Sequence, residues 1–181
     1  MNKSYDEMSE EELKVFAEKF RKEQEEQYKS NLRCEEIKQM FQKGNLTKLD
    51  IHWHLDKNDI NFKLQKEQLD SELLTDGYTI IESVDIEKVL DSMQSGNPEF
   101  YREKHLFHED WCDGKICGVI DFWLKKQKLI PPSIIWNHML DRTYVADGKH
   151  RFNVAYFFGE KYIPIIIPNK HYEQVYRLIF N

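Results

Sequence analysis

Cysteine is scarce in this chain, with three among 181 residues: Cys34, Cys112 and Cys117. An odd number without a C-x-x-C pair supplies neither a disulfide framework nor a zinc template, so reduced structural thiols are expected. Long apolar runs are missing too, which excludes a spanning helix. The start, Met1 to Glu12, is acidic and polar where a secretory signal is basic and then apolar, so a cytoplasmic protein without membrane contact is expected. Positive charge is in deficit, with 26 Lys and Arg against 32 Asp and Glu, a formal charge of -6 and a pI near 5.7. That balance argues against an extended nucleic-acid-binding face, though it leaves room for a local basic pocket. No repeat or low-complexity segment occurs. What is present, 40% hydrophobic and 13% aromatic residues beside 32% charged ones, describes a folded domain with a heavily solvated exterior.

Ser9-Glu10-Glu11-Glu12 reads as a capping box opening a long helix. Leu13, Phe16, Phe20, Tyr28, Leu32, Ile37, Met40 and Phe41 give it a thin apolar stripe, with one break expected before it ends at Gly44-Asn45. Leu49, Ile51, Trp53 and Leu55 then alternate with Asp50, His52, His54 and Asp56. After Lys57-Asn58-Asp59 the alternation resumes through Ile60, Phe62 and Leu64, so a β-hairpin is expected over 49–65. Residues 1–65 thus form an N-terminal helical and hairpin extension, and 66–181 a core.

In that core a short helical patch at 69–74 precedes a strand from Tyr78 to Val84 and a helix capped by Asp85 with Ile86, Val89, Leu90 and Met93 inside. Residues 99–114 resist assignment. Ile116, Val119, Ile120, Trp123 and Leu124 recur at helical spacing, and Pro131-Pro132 closes that helix. Strands at 133–136 and near 144, a helix stopping at Gly159, a strand at 162–168 and a last helix from His171 complete the chain. Pro164 inside the last strand places it at an edge or a bulge. Mixed strands and helices without a regular βαβ repeat give an α+β fold.

The most informative stretch is Asp147-Gly148-Lys149-His150-Arg151, where an apolar strand breaks and a helix begins. A helix start offers backbone N–H groups and the positive end of a dipole, and glycine lets the backbone approach an anion. Arg151 adds a planar, permanently charged fork and His150 a group titrating near neutrality. The competing reading is a plain Asp-capped turn with a surface arginine.

Strand, small helix, helix, Pro-Pro, strand, Asp-Gly-Lys-His-Arg at a helix start, then Gly-x-x-x-Ile-Pro-Ile: over residues 78–168 this order resembles the ParB/sulfiredoxin-like superfamily. The resemblance implies a ParB/sulfiredoxin-like mixed sheet and a nucleoside triphosphate or diphosphate held through Gly148, Lys149, His150 and Arg151. It implies a choice of chemistries, from NTP hydrolysis to phosphotransfer onto a small molecule. Lys149 stands where sulfiredoxins carry their reactive cysteine, which removes sulfinic acid reduction. The chain stops soon after the match, without the helix-turn-helix segment of partition proteins.

The expected site therefore has Gly148 to Arg151 holding phosphate, Asp147 holding Mg²⁺, and Glu82 or His150 as base, with Asp147 counted in the catalytic set. Two alternatives stand beside it: a non-catalytic protein-interaction module using residues 10–65, and a ParB-like nuclease or DNA-associated protein of a mobile element. His52 and His54 with Asp50 and Asp56, and the patch His105, His108, Glu109, Asp110, Cys112, Asp113 and Cys117, are ligand-rich without a defensible metal template. A solvated face and a polar loop are the simpler readings. Trp123 is expected in the core, Trp111 and Trp136 are candidates for base stacking, and Lys125, Lys126 and Lys128 read as a solvated helix end.

Overall fold

The computed structural model describes residues 8–60, 76–93, 106–107 and 113–181. It divides into two compact units, Met1–Asn45 and Leu46–Asn181. The border falls ahead of the 49–65 segment that the sequence groups with the helix.

The first unit is one helix, α1 (Glu10–Gln42), which runs 33 residues without the expected break. Its capping box is formed on both sides: Glu12 N–H donates to Ser9 Oγ at 3.3 Å and Ser9 N–H to Glu12 Oε2 at 2.8 Å. At the other end Gly44 adopts φ +70, and Asn45 N–H reaches Met40 O at 2.9 Å while Gly44 N–H reaches Phe41 O. This is a Schellman stop, which glycine makes without a Cβ penalty. Ion pairs three and four residues apart, such as Lys22 with Glu18 and Arg33 with Glu36, line the rod. Along it Leu13, Val15, Phe20, Tyr28 and Leu32 are exposed, while Cys34 and Ile37 are buried.

The second unit is α+β. Its sheet contains β1 (Tyr78–Asp85), β2 (Ser133–Asn137), β3 (Arg142–Asp147) and β4 (Tyr162–Pro168), in the order β1-β4-β2-β3. The β1–β4 and β2–β3 pairs are antiparallel and β2–β4 is parallel, so the sheet is mixed. β4 lies in the interior, and Ile163, Ile165, Ile166 and Ile167 are all fully buried, the continuous apolar run expected of a strand covered on both faces. Of the two positions expected for Pro164, the edge is therefore excluded and the bulge holds. Its missing N–H falls where the β1 register shifts between Ile81 and Val84, so no regular ladder bond is lost.

The helices of this unit are α2 (Ile86–Ser92), α3 (Asp113–Leu124), α4 (Lys149–Phe157) and α5 (Tyr172–Phe180). Asp85 caps α2 through Glu87 N–H, as its sequence predicts. α2 and α5 pack on each other and on the sheet, and α3 packs on α4. Trp123 is 1% exposed, in the core. α3 stops well before Pro131-Pro132, which corrects the expected terminator. Lys126 takes φ +57, and Gln127 N–H reaches Phe122 O at 2.9 Å, so a lysine occupies the left-handed position where glycine is usual. Lys125 meanwhile pairs with Asp121 on the helix surface.

Residues 49–60 do not form the first arm of a hairpin. Instead His54 N–H donates to Leu129 O and Leu129 N–H to His52 O, at 2.9 and 3.0 Å, so the segment binds the loop after α3 through one isolated bridge. Trp53 meets Trp123 edge-on at 5.1 Å, and Trp123 Nε1 donates to His52 O. The alternation is real, but it serves docking on a tryptophan rather than strand pairing. Asp56 then caps a single 3₁₀ turn, Lys57–Asp59. The second arm at 61–65, the patch at 69–74 and most of 99–114 lie outside the described residues. The cysteines also differ from expectation: Cys34 and Cys117 are each disulfide-bonded. Bridged cysteines can lie far apart in sequence, so no local spacing marks them.

Candidate functional site

β3 delivers Asp147 to the sheet end, Gly148 turns the chain, and α4 begins at Lys149. Gly148 has φ +82 and ψ 19, the left-handed region, and no side chain caps α4. A Cβ built on Gly148 would stand 2.8 Å from Pro132 Cα and 2.7 Å from Arg151 Nη2. Only glycine admits this conformation with neighbours so close.

Arg151 folds back over that turn. Its Nη2 donates to Asp147 Oδ2 at 2.8 Å, and the residue is only 9% exposed. A buried arginine needs such a partner, and the four-residue spacing on the first helical turn supplies it. Asp147 and Arg151 thus form the wall and the pin of the turn, the pairing of the plain-turn reading but with the arginine buried rather than on the surface. On the other side of Asp147 lies Ser133, its direct partner in the β2–β3 ladder.

His150 is half-buried, and its pKa is pushed down to about 4. Burial is the main cause, since it penalises the charged imidazolium. The positive charges of Lys115, Arg151 and Lys149 add to it, while Asp147 opposes them. His150 is therefore a neutral imidazole at physiological pH. Lys149 is exposed at the first position of α4, and Lys115 is exposed in the first turn of α3. Lys115 is the residue that sequence reasoning missed. It lies at the margin of the unreadable 99–114 stretch, and nothing local ties it to a motif more than thirty positions away.

Glu82 is not brought to this place. It is exposed at the β1 bulge, and β1 forms the sheet edge opposite β3. With β4 and β2 between them, strand spacing alone separates the two edges by about 14 Å. The second expected base candidate, His150, adjoins the turn, but a group with a pKa near 4 is a weak proton acceptor at neutral pH.

Among the described residues no group of three His, Cys, Asp or Glu side chains gathers as a metal site. His52 pairs with Asp50, Nε2 to Oδ2 at 3.1 Å, and its carbonyl holds Trp123. Trp136, partly exposed on β2, donates from Nε1 to Asp141 Oδ1 at 3.0 Å across the β2–β3 hairpin. Asp141 takes φ +47 there and also accepts from Arg177 Nη2 at 2.6 Å. These two bonds hold its carboxyl below the ordinary carboxylate pKa, the Trp136 bond first. Trp111, His105, His108, Glu109, Asp110 and Cys112 lie outside the described residues. No helix among the described residues is long and apolar enough to cross a membrane.

Comparison with known proteins finds no matching family model, no similar curated protein and no similar solved structure.

Proposed function

We propose that this protein binds a nucleotide by its phosphates at the turn Asp147 to Arg151, in a core of ParB/sulfiredoxin-like type. One observation carries the reading: a left-handed glycine turn opens a helix beside His150, whose charged form is disfavoured by burial first and then by the positive charges of Lys115, Arg151 and Lys149. The helix start adds the positive end of a dipole beside the exposed Lys149, in a chain whose overall charge is -6. The order of elements and the Asp-Gly-Lys-His-Arg string support assigning the anion to a nucleotide.

In this reading Gly148 lets the ligand approach the backbone, while Lys149 and Lys115 meet its oxygens. Arg151 holds the turn's shape and lends its charge from behind. His150, neutral, serves as a hydrogen-bonding group. Asp147, partly exposed on its carboxylate, suits a hard cation. Mg²⁺ commonly takes one or two carboxylates and completes its shell with phosphate oxygens and waters, so Asp147 alone fits that role. When bound, the ion would neutralise phosphate charge. With Glu82 at the far edge and His150 weakly basic, the arrangement supports binding more than turnover, and hydrolysis or phosphotransfer would need a base from the ligand or a partner.

Isothermal titration with ATP, ADP, CTP and GTP plus Mg²⁺ tests this. Lys149→Ala is the informative variant, because Lys149 is exposed, whereas Arg151→Ala also removes a buried pin. Binding weakened about tenfold or more by Lys149→Ala supports the reading; no binding by any of the four nucleotides defeats it.

A second reading, an interaction module built on α1, is favoured by the exposed Leu13, Val15, Phe20, Tyr28 and Leu32 along one helix. Sedimentation velocity of the full chain and of Phe20→Glu tests it. A faster-sedimenting species in the parent that the variant lacks would support a self-associating helix, and identical profiles would oppose one.

A further inference from the structure

The tip of the β2–β3 hairpin is apolar where a turn is ordinarily polar. Asn137 and Arg142 form the last rung of the ladder, and His138 to Asp141 make the loop between them. Gly, Pro, Asn, Asp and Ser dominate such tips, because they bend the backbone or bond to it. Here the middle of the loop is Met139, 81% exposed and the most exposed large apolar side chain among the described residues, followed by Leu140 at 56%. Neither contributes to the core, so packing within the chain does not account for them.

The loop is anchored. Met139 N–H donates to Asn137 Oδ1 at 3.0 Å, and Asp141 accepts from both Trp136 on β2 and Arg177 on α5. An apolar tip fixed by three bonds is pre-organised, so docking it orders little further chain. Tyr176, exposed next to Arg177 and stacked against Tyr172 and Phe180, extends the surface along α5. Trp, Tyr, Arg and Met are the residue types that interfaces concentrate, and all four occur around Asp141.

The polar centre identifies the occupant. Both bonds to Asp141 end on Oδ1, and among the described residues Oδ2 takes none. Arg177 donates from Nη2 alone, and its side chain and that of Asp141 are 52% and 55% exposed. One surface spot thus offers an unfilled carboxylate oxygen and an unfilled guanidinium fork. A foreign surface would have to carry a donor and an acceptor at the matching places, whereas a copy of this chain carries both already. Across a two-fold axis Arg177 of each copy faces Asp141 of the other, so unlike charges oppose each other. The charged groups then fix the orientation while the apolar tips supply the affinity.

We infer that the β2–β3 tip and the adjoining face of α5 form a two-fold interface between copies of this chain, with Met139 and Leu140 as its apolar knob and Asp141 and Arg177 bonded reciprocally across the axis. Every residue involved lies in the unit Leu46–Asn181, so the interface is separate from the phosphate turn and from the exposed stripe of α1. Sedimentation velocity of the full chain over a wide range of concentration tests it, in parent, Met139→Asp, Leu140→Asp, Arg177→Ala and Phe20→Glu. Circular dichroism confirms that each variant is folded. The parent should form a concentration-dependent dimer. Each aspartate variant places a charge in the contact twice, once from each copy, and should weaken the dimer at least about thirtyfold, with Arg177→Ala weakening it about tenfold. Phe20→Glu should leave it within about twofold. A parent that stays monomeric at every concentration overturns the inference. So does a dimer that the aspartate variants or Arg177→Ala leave intact, or one that Phe20→Glu dissolves.

Discussion

Gly148→Ala is the sharpest perturbation of the turn. At φ +82 an alanine pays roughly 1–2 kcal/mol for the left-handed conformation. Its Cβ would also stand 2.8 Å from Pro132 Cα and 2.7 Å from Arg151 Nη2. The guanidinium is the end of a flexible side chain, but it is held by Asp147, and the proline contact is backbone. Overpacking of this kind costs about 1–3 kcal/mol. The expected loss of stability is therefore about 2–5 kcal/mol, read as a fall in urea midpoint at constant slope. Gly44→Ala is the internal control, since Gly44 has φ +70 with nothing within 4 Å of its added Cβ. It should lose only about 1–2 kcal/mol, the backbone share alone. If the two variants lose the same stability within about 0.5 kcal/mol, the Pro132–Arg151 crowding does not exist in solution and the argument for the pinned turn fails.

Arg151→Ala should cost about 2–3 kcal/mol by urea denaturation, because it removes one partner of a largely buried charged hydrogen bond; a loss under about 0.5 kcal/mol would mean that Arg151 faces water. Acidification offers a separate check. His150, with its pKa lowered from 6.5 to about 4, binds its proton more weakly when folded, and His171 is shifted the same way. The unfolded chain therefore takes up more protons, so stability is complete above about pH 6.5 and falls as pH drops from 6.5 toward 4. His150→Gln should flatten that slope in thermal melts between pH 4 and 7, and an unchanged slope would place the ring in water. Trp123→Phe removes the Nε1 donor to His52 O and should cost about 1–3 kcal/mol while speeding amide exchange at His54 and Leu129; unchanged exchange would separate the tryptophan from the docked segment.

Where a signal was local, the sequence carried it. The Ser9–Glu12 box, the Asp85 cap and the Asp-Gly turn into α4 all depend on residues within four positions of each other, and each is found where the pattern placed it. What escaped depends on long-range pairing. The alternation of 49–55 is that of a strand, but its partners are Trp123 and Leu129, and no local rule distinguishes docking from a hairpin. Pro164 left an edge and a bulge both open, and only the pairing of β4 on both sides decides for the bulge. Lys126 ends α3 in a conformation that composition assigns to glycine, so the helix stops before the prolines that seemed to end it. At the site, Asp147, Gly148, His150 and Arg151 were legible as one string. Their roles were not: burial turns the arginine inward and keeps the histidine neutral, and Lys115 enters only through the packing of α3 on α4.

The central claim is that phosphate sits on the turn between β3 and α4. Backbone amide chemical shifts in a ¹⁵N-labelled sample titrated with ADP and Mg²⁺ test it most directly. The largest changes are expected at Gly148, Lys149 and His150, with smaller ones at Lys115 and Ser133, all saturating with one dissociation constant. Saturable shifts confined to other parts of the chain, or no saturable shifts at all, would contradict it.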